Sequence, residues 1–562
     1  MPEAPTSDPK PFSSGIRPVR WLLPVVGFTA LALALTAPLS INPAGLARLD
    51  GDGQFSIWNV AWVAHALTTD PLNVWNANIF YPSRMTLAYS EANLLAGLLA
   101  APAYALSRSP FLALNLVLIA SFALSALAMF ALVAYLTGDR GAGAVSGVAF
   151  GFCPFVFAHL SHIQLLMTAG LPLSLLCFHR LSDAPSPKRG VALGFALAAQ
   201  TYACAYYGIF AVLLIGLSTL LIAGLRHRDL NQRAYWTAIA VAAIVSAAAV
   251  APLAMVYARF SSETGFARPL DQARLYSANA GSYLASAAYA HQWLLALAGK
   301  WREVLFPGLV ATIFGFVGSA AAFRRPRRSP VVVLYVTIGV VALWVSFGPD
   351  AGLYRLLHET VPGFTFLRAP VRFGLIVQLA LSVLAGLAVA DTLRRRTRPE
   401  IWLTVILSIA VVESFKPLKF SPVPPVDPVY RTLARLPAGG VIELPLYSRR
   451  FAFLRTKYML ASTAHWKPLV GGYSDYMPGR AIALEGVLGG FPTRDSLDQL
   501  AHDGVRYAVI HQADYSPAEQ EKLAKRLREF MTEVRPLDQS PDSALFEVMT
   551  AAPGPDASTV VR

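Results

Sequence analysis

Two carboxylates two positions apart, Asp50 and Asp52, sit on the glycine-flexed turn "LDGDGQF" (49–55), soon after an apolar run that begins at Trp21. Gly51 and Gly53 let the backbone bend, so both side chains can be aimed at one point. Carboxylates paired in this way suit a general base, a divalent cation such as Mg or Mn, or both. A solvated turn is the plain alternative. His159 and His162 stand three apart in "FAHLSHIQL" (157–165), on one face if the segment is helical, with Gln164 following. They could hold a metal, meet a polar ligand or simply pack, and two histidines without a carboxylate make a weak metal set. Arg368 and Arg372 are spaced i, i+4 in "FLRAPVRF" (366–373), at the start of an apolar run. A helix start there adds free N–H groups to two guanidinium forks, a combination that suits an anion, phosphate above all. Interfacial arginines snorkelling at a span end would look the same. Pro370 supports a helix beginning at that point. Glu91 could join the pair as a third acid, or be a charge at the start of the helix that follows.

The elements that must position these residues are membrane helices. Of 562 residues, 55% are hydrophobic and 14% charged, and the mean hydropathy is +0.49. A soluble chain cannot cover such a core with so little polar surface. The net charge of +14 falls in short basic clusters between apolar runs, as the positive-inside bias requires, and this argues against nucleic acid as a partner. Cys153, Cys177 and Cys204 all lie in apolar segments without metal-ligand spacing and read as small core residues. Lys10, Arg17 and Arg20 ahead of the first run could mimic a signal peptide, but the run is long for one and reads as a retained anchor.

Apolar windows near 21–41, 111–136, 142–158, 165–181, 190–206, 208–225, 234–256, 305–323, 330–347, 371–390 and 400–414 predict about eleven spans. The short, proline-containing stretch 92–107 could span or lie against the membrane. If it does not span and the N-terminus is cytoplasmic, the loops holding Arg140, Lys188 with Arg189, residues 226–233, 324–328 and 394–398 all fall inside. The juxtamembrane reading is therefore adopted. Loops 42–110, 159–164, 257–304 and 348–370 then face outside, as does the tail. Residues 1–20 form the cytoplasmic N-terminus and 21–414 the membrane domain, and 415–430 is a Pro-rich linker. Residues 431–562 form an outer α/β domain with strands in "GGVIELPL", "GVRYAVIH" and "SALFEV" and a Ser-capped helix in "SPAEQEKLAKRLREF". That tail carries no dinucleotide or P-loop glycine fingerprint.

An N-terminal span, a long first outside loop opening on an acidic pair, returning aromatic segments, many spans and an outer α/β domain together resemble the GT-C superfamily of integral-membrane glycosyltransferases, in particular bacterial members of the YfhO-like and RgtA-like kind. The residues that carry the resemblance are "DGDGQFSIWNVAW" (50–62), "NIFYP" (78–82) with Tyr81, Glu91, "FAHLSHIQL" (157–165), "FLRAPVRF" (366–373), and "VIELPL" (441–446) with "STAHWKPLVGGYSDYMP" (462–478). The resemblance implies a polytopic α-helical protein of a bacterial inner membrane. It would move a sugar from a polyprenyl-phosphate carrier to a glycan, lipid or protein acceptor at the outer face, with Asp50 or Asp52 as base. The pair here is D-x-D, whereas relatives also show adjacent acids, so either carboxylate could take the proton.

Such a transfer needs the charge of the departing phosphate stabilised, a role open to Arg368 and Arg372. Contact with donor or acceptor is open to Tyr81, Glu91, His159, His162 and Gln164. Some members place an acid in the second outside turn; none lies between 158 and 170 here. Tyr202, Tyr206 and Tyr207 could stack on sugar or belong to an aromatic belt. The 257–304 loop, with Arg259, Arg268, Asp271 and Arg274, could close over a lipid donor. His465 and Trp466, with Lys467, Tyr473 and Asp475, could serve the acceptor side or pack the tail. Two rival classes remain: a non-catalytic membrane scaffold, which has no use for an acidic pair, and a transporter or flippase, which would place charges at mid-membrane. Within the spans the exceptions are few, His179 and Glu413 near the ends.

Overall fold

The computed structural model describes residues 19–228, 230–320, 329–361 and 363–549. The expected cytoplasmic N-terminus up to residue 18, Asp229 and the basic cluster 324–328 lie outside the described residues. The chain divides into two compact units, one of residues 1–41 and 116–419 and the other of 42–115 and 420–562.

In the first unit, helices apolar on all sides dominate, as burial in lipid or in other helices demands. Among the described residues six are long and apolar enough to cross a membrane: Pro110–Thr137, Arg140–Ala158, Ile163–Asp183, Ala205–Leu225, Gln232–Thr264 and Pro370–Arg394. The windows near 21–41, 305–323, 330–347 and 400–414 hold apolar helices of 10–17 described residues instead. The window near 190–206 holds the 17-residue helix Pro187–Ala203. Within Arg140–Ala158 the helix breaks at Phe152 and Cys153 and restarts on Pro154, because proline cannot continue a hydrogen-bonded turn but suits the first position of a new one.

Pro370–Arg394 is the most enclosed of the six, 94% of its apolar window being buried. It packs against Leu309–Ala320, Ser329–Ser346 and Arg140–Gly151. The approach requires small residues: a Cβ on Gly318 would lie 2.1 Å from the Leu384 carbonyl oxygen, and one on Gly386 2.4 Å from the Ser146 hydroxyl. Gln378 is buried in this helix and donates its amide to the Ala149 carbonyl at 2.7 Å. Glu413 leaves the helix Pro399–Val412 and accepts the backbone N–H groups of Leu309 (2.7 Å) and Val310 (3.3 Å). His291 lies against it at 3.2 Å. Its carboxylate thus satisfies the orphan donors of a helix start.

In the second unit, strand β1 (Leu46–Ala47) pairs antiparallel with β2 (Ser421–Pro422). The tail then builds a four-stranded sheet from β3 (Gly440–Leu444), β4 (Val505–His511), β5 (Val534–Gln539) and β6 (Ser543–Val548), in the order β3-β4-β6-β5. β3 and β4 are parallel, the other pairs antiparallel. The three stretches read as strands from sequence form β3, β4 and β6. β5, "VRPLDQ", carries Pro536 and lies at the edge, where a missing donor is tolerated. The Ser-capped helix is Pro517–Glu529, closed by a reciprocal Ser516–Glu519 capping box. The sheet's core includes Ile442, Leu444, Leu484, Leu500, Ala508 and Ile510, and Tyr81 of the first loop packs against it.

The loop 42–115 is itself helical. Gly51–Thr69 packs on Leu94–Ser107, where a Cβ on Gly97 would collide with Val63. Leu94–Ser107 has 14 residues, about 21 Å at 1.5 Å per residue, short of a hydrocarbon core of about 30 Å.

Candidate functional site

The two carboxylates of the acidic turn in the second unit occupy different positions at the start of a helix. A helix starts at Gly51 and Asp50 is its N-cap. One Asp50 oxygen accepts the Gly53 N–H at 2.8 Å, the other meets the Arg48 guanidinium at 2.7 Å, and the side chain is 44% exposed. Gly53 is obligatory, since a Cβ there would sit 2.3 Å from the Arg48 carbonyl oxygen. Asp52 occupies the first helical turn and faces solvent, where the helix's positive end favours its negative charge. The bend expected of this turn is thus a helix start, with Asp50 at the N-cap and Asp52 in the first turn. The helix gives Asp50 a capping role and leaves Asp52 as the outward acid.

The tail lines this turn. The Phe453 carbonyl lies 3.6 Å from where a Gly51 Cβ would be, Thr456 donates to the Gln54 side chain at 2.8 Å, and Phe55 meets Tyr473 edge to face at 6.0 Å. Trp466, at φ 55°, stacks on His65 with centroids 4.7 Å apart and donates its indole N–H to the Tyr104 hydroxyl at 3.0 Å. His465 stacks on Tyr430, accepts the Lys467 N–H at Nδ1, and has no partner for Nε2 among the described residues. Burial, with Lys467 nearby, pushes its pKa down to about 3. Tyr81 receives a strand-like bond of its own, its N–H donating to the Leu469 carbonyl at 2.9 Å. The Glu91 carbonyl accepts the side-chain amides of Asn59 and Asn93, and Asn93 is the residue that caps Leu94–Ser107. Trp466 packs the tail against the loop, whereas His465 packs within the tail.

The first unit gathers a separate polar cluster. His159 and His162 do not share a helical face. His159 ends the helix Pro154–Ala158 and His162 precedes Ile163–Leu166, so the backbone turns between them and their rings meet edge to face at 6.2 Å. His159 Nδ1 lies 2.8 Å from the Phe155 carbonyl, which accepts only, so Nδ1 carries the proton and Nε2 its lone pair. Nε2 faces Glu303 at 3.7 Å. Burial is the main force that lowers the His159 pKa to about 3, with His162, Arg372 and Lys416 adding to it. Burial raises the Glu303 carboxyl, and Arg372 draws it partly back.

Arg368 and Arg372 part company. Ala369 is non-helical (φ −123°, ψ 84°) and only a tight 3₁₀ turn, Pro370–Phe373, precedes the helix at Gly374. The i, i+4 relation is therefore broken. Arg368 lies over the Tyr276 ring at 5.3 Å and Arg372 over Tyr206 at 4.5 Å. The Pro370 start is as the sequence implies. Arg372 is 8% exposed, and its Nη1 has no hydrogen-bond partner among the described residues; neither has the buried Gln164 Oε1. Lys416 sits over Phe157 at 4.3 Å and donates to the Pro154 carbonyl at 3.3 Å. A buried guanidinium with an open N–H is a ready donor to an oxyanion. Sequence reasoning missed Glu303 and Lys416. The signal for Glu303 was its isolation, as the one acid between Asp271 and Asp350.

Among the described residues no group of three or more His, Cys, Asp or Glu side chains is placed to hold a metal ion. With both oxygens of Asp50 already engaged by Gly53 and Arg48, the residues present do not fit a Mg or Mn centre on the acidic pair.

No family model matches the chain, and no curated protein matches it. Solved structures do. The mycobacterial arabinofuranosyltransferase AftD is similar with a TM-score of 0.58 at 15% identity, over 95% of this chain and 41% of its own. The oligosaccharyltransferase AglB of Archaeoglobus fulgidus, in complex with an inhibitory peptide and a dolichol-phosphate, gives 0.50 at 12% identity, over 93% and 73%. The apo form of the Archaeoglobus fulgidus oligosaccharyltransferase gives 0.50 at 12%, over 89% and 70%. This chain thus spans 41% of the length of AftD. With its apolar helices, its loop-and-tail unit and these likenesses together, the chain carries the GT-C fold of integral-membrane glycosyltransferases.

Proposed function

We propose that the protein transfers a glycosyl group from a polyprenyl-phosphate-linked sugar to a glycan, lipid or protein acceptor at the outer face of a bacterial inner membrane. The N-terminus would be cytoplasmic and the tail outside. The observation that carries this reading is Arg372, a guanidinium buried at the start of the most enclosed span with one N–H donor open. An arginine in that setting needs an anion, and a lipid phosphate is the anion a membrane-embedded site meets.

In the reaction an acceptor hydroxyl loses its proton to a general base, for which the second unit offers Asp52, as its oxygen bonds to the sugar's anomeric carbon. The bond from that carbon to the phosphate oxygen breaks, and its electron pair stays on the phosphate. For the charge added to the phosphate the first unit offers Arg372, aided by Lys416. Asp50 supports the reaction by fixing the helix start that carries Asp52. His162 and Gln164 remain candidates for donor contact, and Arg368 for a secondary one. Tyr81 and Trp466 act by holding the tail to the first loop, and His465 by packing within the tail.

The test compares cells lacking the gene with cells carrying wild type or Asp52→Asn. Wild type alone should restore a missing cell-envelope glycan, while the variant should accumulate a polyprenyl-phosphate sugar. Identical lipid-linked sugars and envelope glycans in all three strains would sink the reading.

A further inference from the structure

Glu303 reaches the polar cluster of the first unit from a loop that carries no other acid after Asp271. Its side chain is 33% exposed and its Oε2 lies 3.7 Å from His159 Nε2. That nitrogen is the lone-pair side of the ring, because Nδ1–H is committed to the Phe155 carbonyl. Two acceptors facing each other repel unless one carries a proton. The groups that act on the pair are His162 from the turn after Ala158, Arg372 from the turn Pro370–Phe373, and Lys416 from the segment after Pro399–Val412. Arg372 and the Val304 backbone N–H favour a negative Glu303, whereas burial and the facing His159 lone pair favour a neutral one; His162, Arg372 and Lys416 hold His159 neutral. The acid is therefore poised between states.

A phosphate arriving at the open Nη1 of Arg372 would bring a second anion into the same field, and two anions before one guanidinium do not both stay charged at low cost. We propose that Glu303 is a positioning acid that exchanges with phosphate: ionised toward Arg372 when no phosphate is bound, it takes one proton from solvent as a lipid phosphate binds, and its new O–H turns to His159 Nε2. This rests on the reading that Arg372 receives the donor phosphate. The balance is one proton in per phosphate bound, with no bond made or broken elsewhere. Binding then anchors two side chains at once, Arg372 by the phosphate and Glu303 by the histidine.

The test titrates the full-length protein in detergent with undecaprenyl phosphate at pH 7.5, in two buffers of different ionisation enthalpy. Calorimetry then counts protons. A guanidinium binding a phosphate monoester, whose second ionisation lies near pH 6, draws the ligand toward proton release, so net uptake identifies a protein acid. Wild type should take up a proton. Glu303→Gln should take up none and should bind about tenfold more tightly than wild type at pH 8, with the gain shrinking toward pH 6. Absence of uptake by wild type overturns the proposal even if the variant fails to fold, and so does an unchanged pH slope in Glu303→Gln. If the lipid phosphate does not bind, or binds Arg372→Ala as well as wild type, the donor-site reading falls and this inference with it. Binding that depends on Arg372 but takes up no proton removes the inference alone.

Discussion

Asn78 donates its side-chain amide to the hydroxyl of Ser462 at 3.0 Å across 384 positions of sequence. The same amide reaches the Lys467 carbonyl at 3.2 Å, while its oxygen accepts the Trp58 indole N–H at 2.9 Å. One buried residue therefore ties the first loop's helix to the tail. Asn78→Ala leaves an indole N–H and a carbonyl buried without partners, each costing about 1–3 kcal/mol. Thermal unfolding of the purified protein should show a clearly lowered Tm, and limited proteolysis should release the tail sooner. A Tm equal to wild type would mean that water replaces the amide.

The helix start separates the two acids experimentally. Asp50→Ala removes the N-cap and should cost about 1 kcal/mol of stability, whereas Asp50→Asn keeps a capping side chain and should cost little. Asp52→Asn, which removes a charge the helix start favours, should cost less than about 1 kcal/mol and lower transfer about 100-fold or more. Rates and melting curves of the three variants, measured side by side, decide it: equal loss of activity in Asp50→Asn and Asp52→Asn would return both acids to the chemistry.

The two arginines should no longer behave alike. Arg372→Ala should weaken binding of a polyprenyl phosphate about ten- to hundredfold, the range of a charge-assisted hydrogen bond in a buried site. Arg368→Ala, which removes a contact with the Tyr276 ring, should change it by less than about threefold. Equal effects of the two substitutions would favour a shared snorkelling role at the span end.

His465 makes the second unit sensitive to acid. Its pKa in the folded protein is pushed down to about 3 from an ordinary 6.5. Below pH 6.5 the unfolded chain therefore binds a proton that the folded chain refuses. The stability is complete above pH 6.5 and is lost as pH falls toward 3, by up to about 1.4 kcal/mol per unit. His465→Asn should flatten the fall in Tm between pH 7 and 5 relative to wild type, although it lowers Tm at pH 7. An unaltered slope would show that another group, His159 first among them, sets the acid limit.

What could be read in the sequence was whatever depends on neighbours in the chain. The apolar run near 234–256, which lies inside the helix Gln232–Thr264, the Ser516 cap and the turn that starts on Pro370 are local, and each stands where the sequence puts it. Spacing failed where local conformation overrode it. Arg368 and Arg372 are four apart, but Ala369 is not helical; His159 and His162 are three apart, but the turn between the helices Pro154–Ala158 and Ile163–Leu166 holds them both. Asp50 could have been identified as a cap from the residues alone, since an Asp ahead of an aliphatic helical run is a strong N-terminal signal, and the adjacent glycines obscured it. Glu303 and Lys416 were out of reach, because their meeting with His159 and Arg372 is made by folding of segments far apart in the chain. The same holds for the helical loop after Asp50, whose partner is the tail.

That last pairing bears on the order of synthesis. The helix that carries Asp52 is made early, but Trp466 and Tyr473, on which it packs, follow only after every candidate span has been made. Until then Trp62, His65 and Tyr104 lack the Trp466 ring that packs on them. The protein is thus built so that the acid-bearing turn cannot be completed ahead of the rest of the chain, and a ribosome that stops short of the tail leaves behind a membrane protein without a finished site.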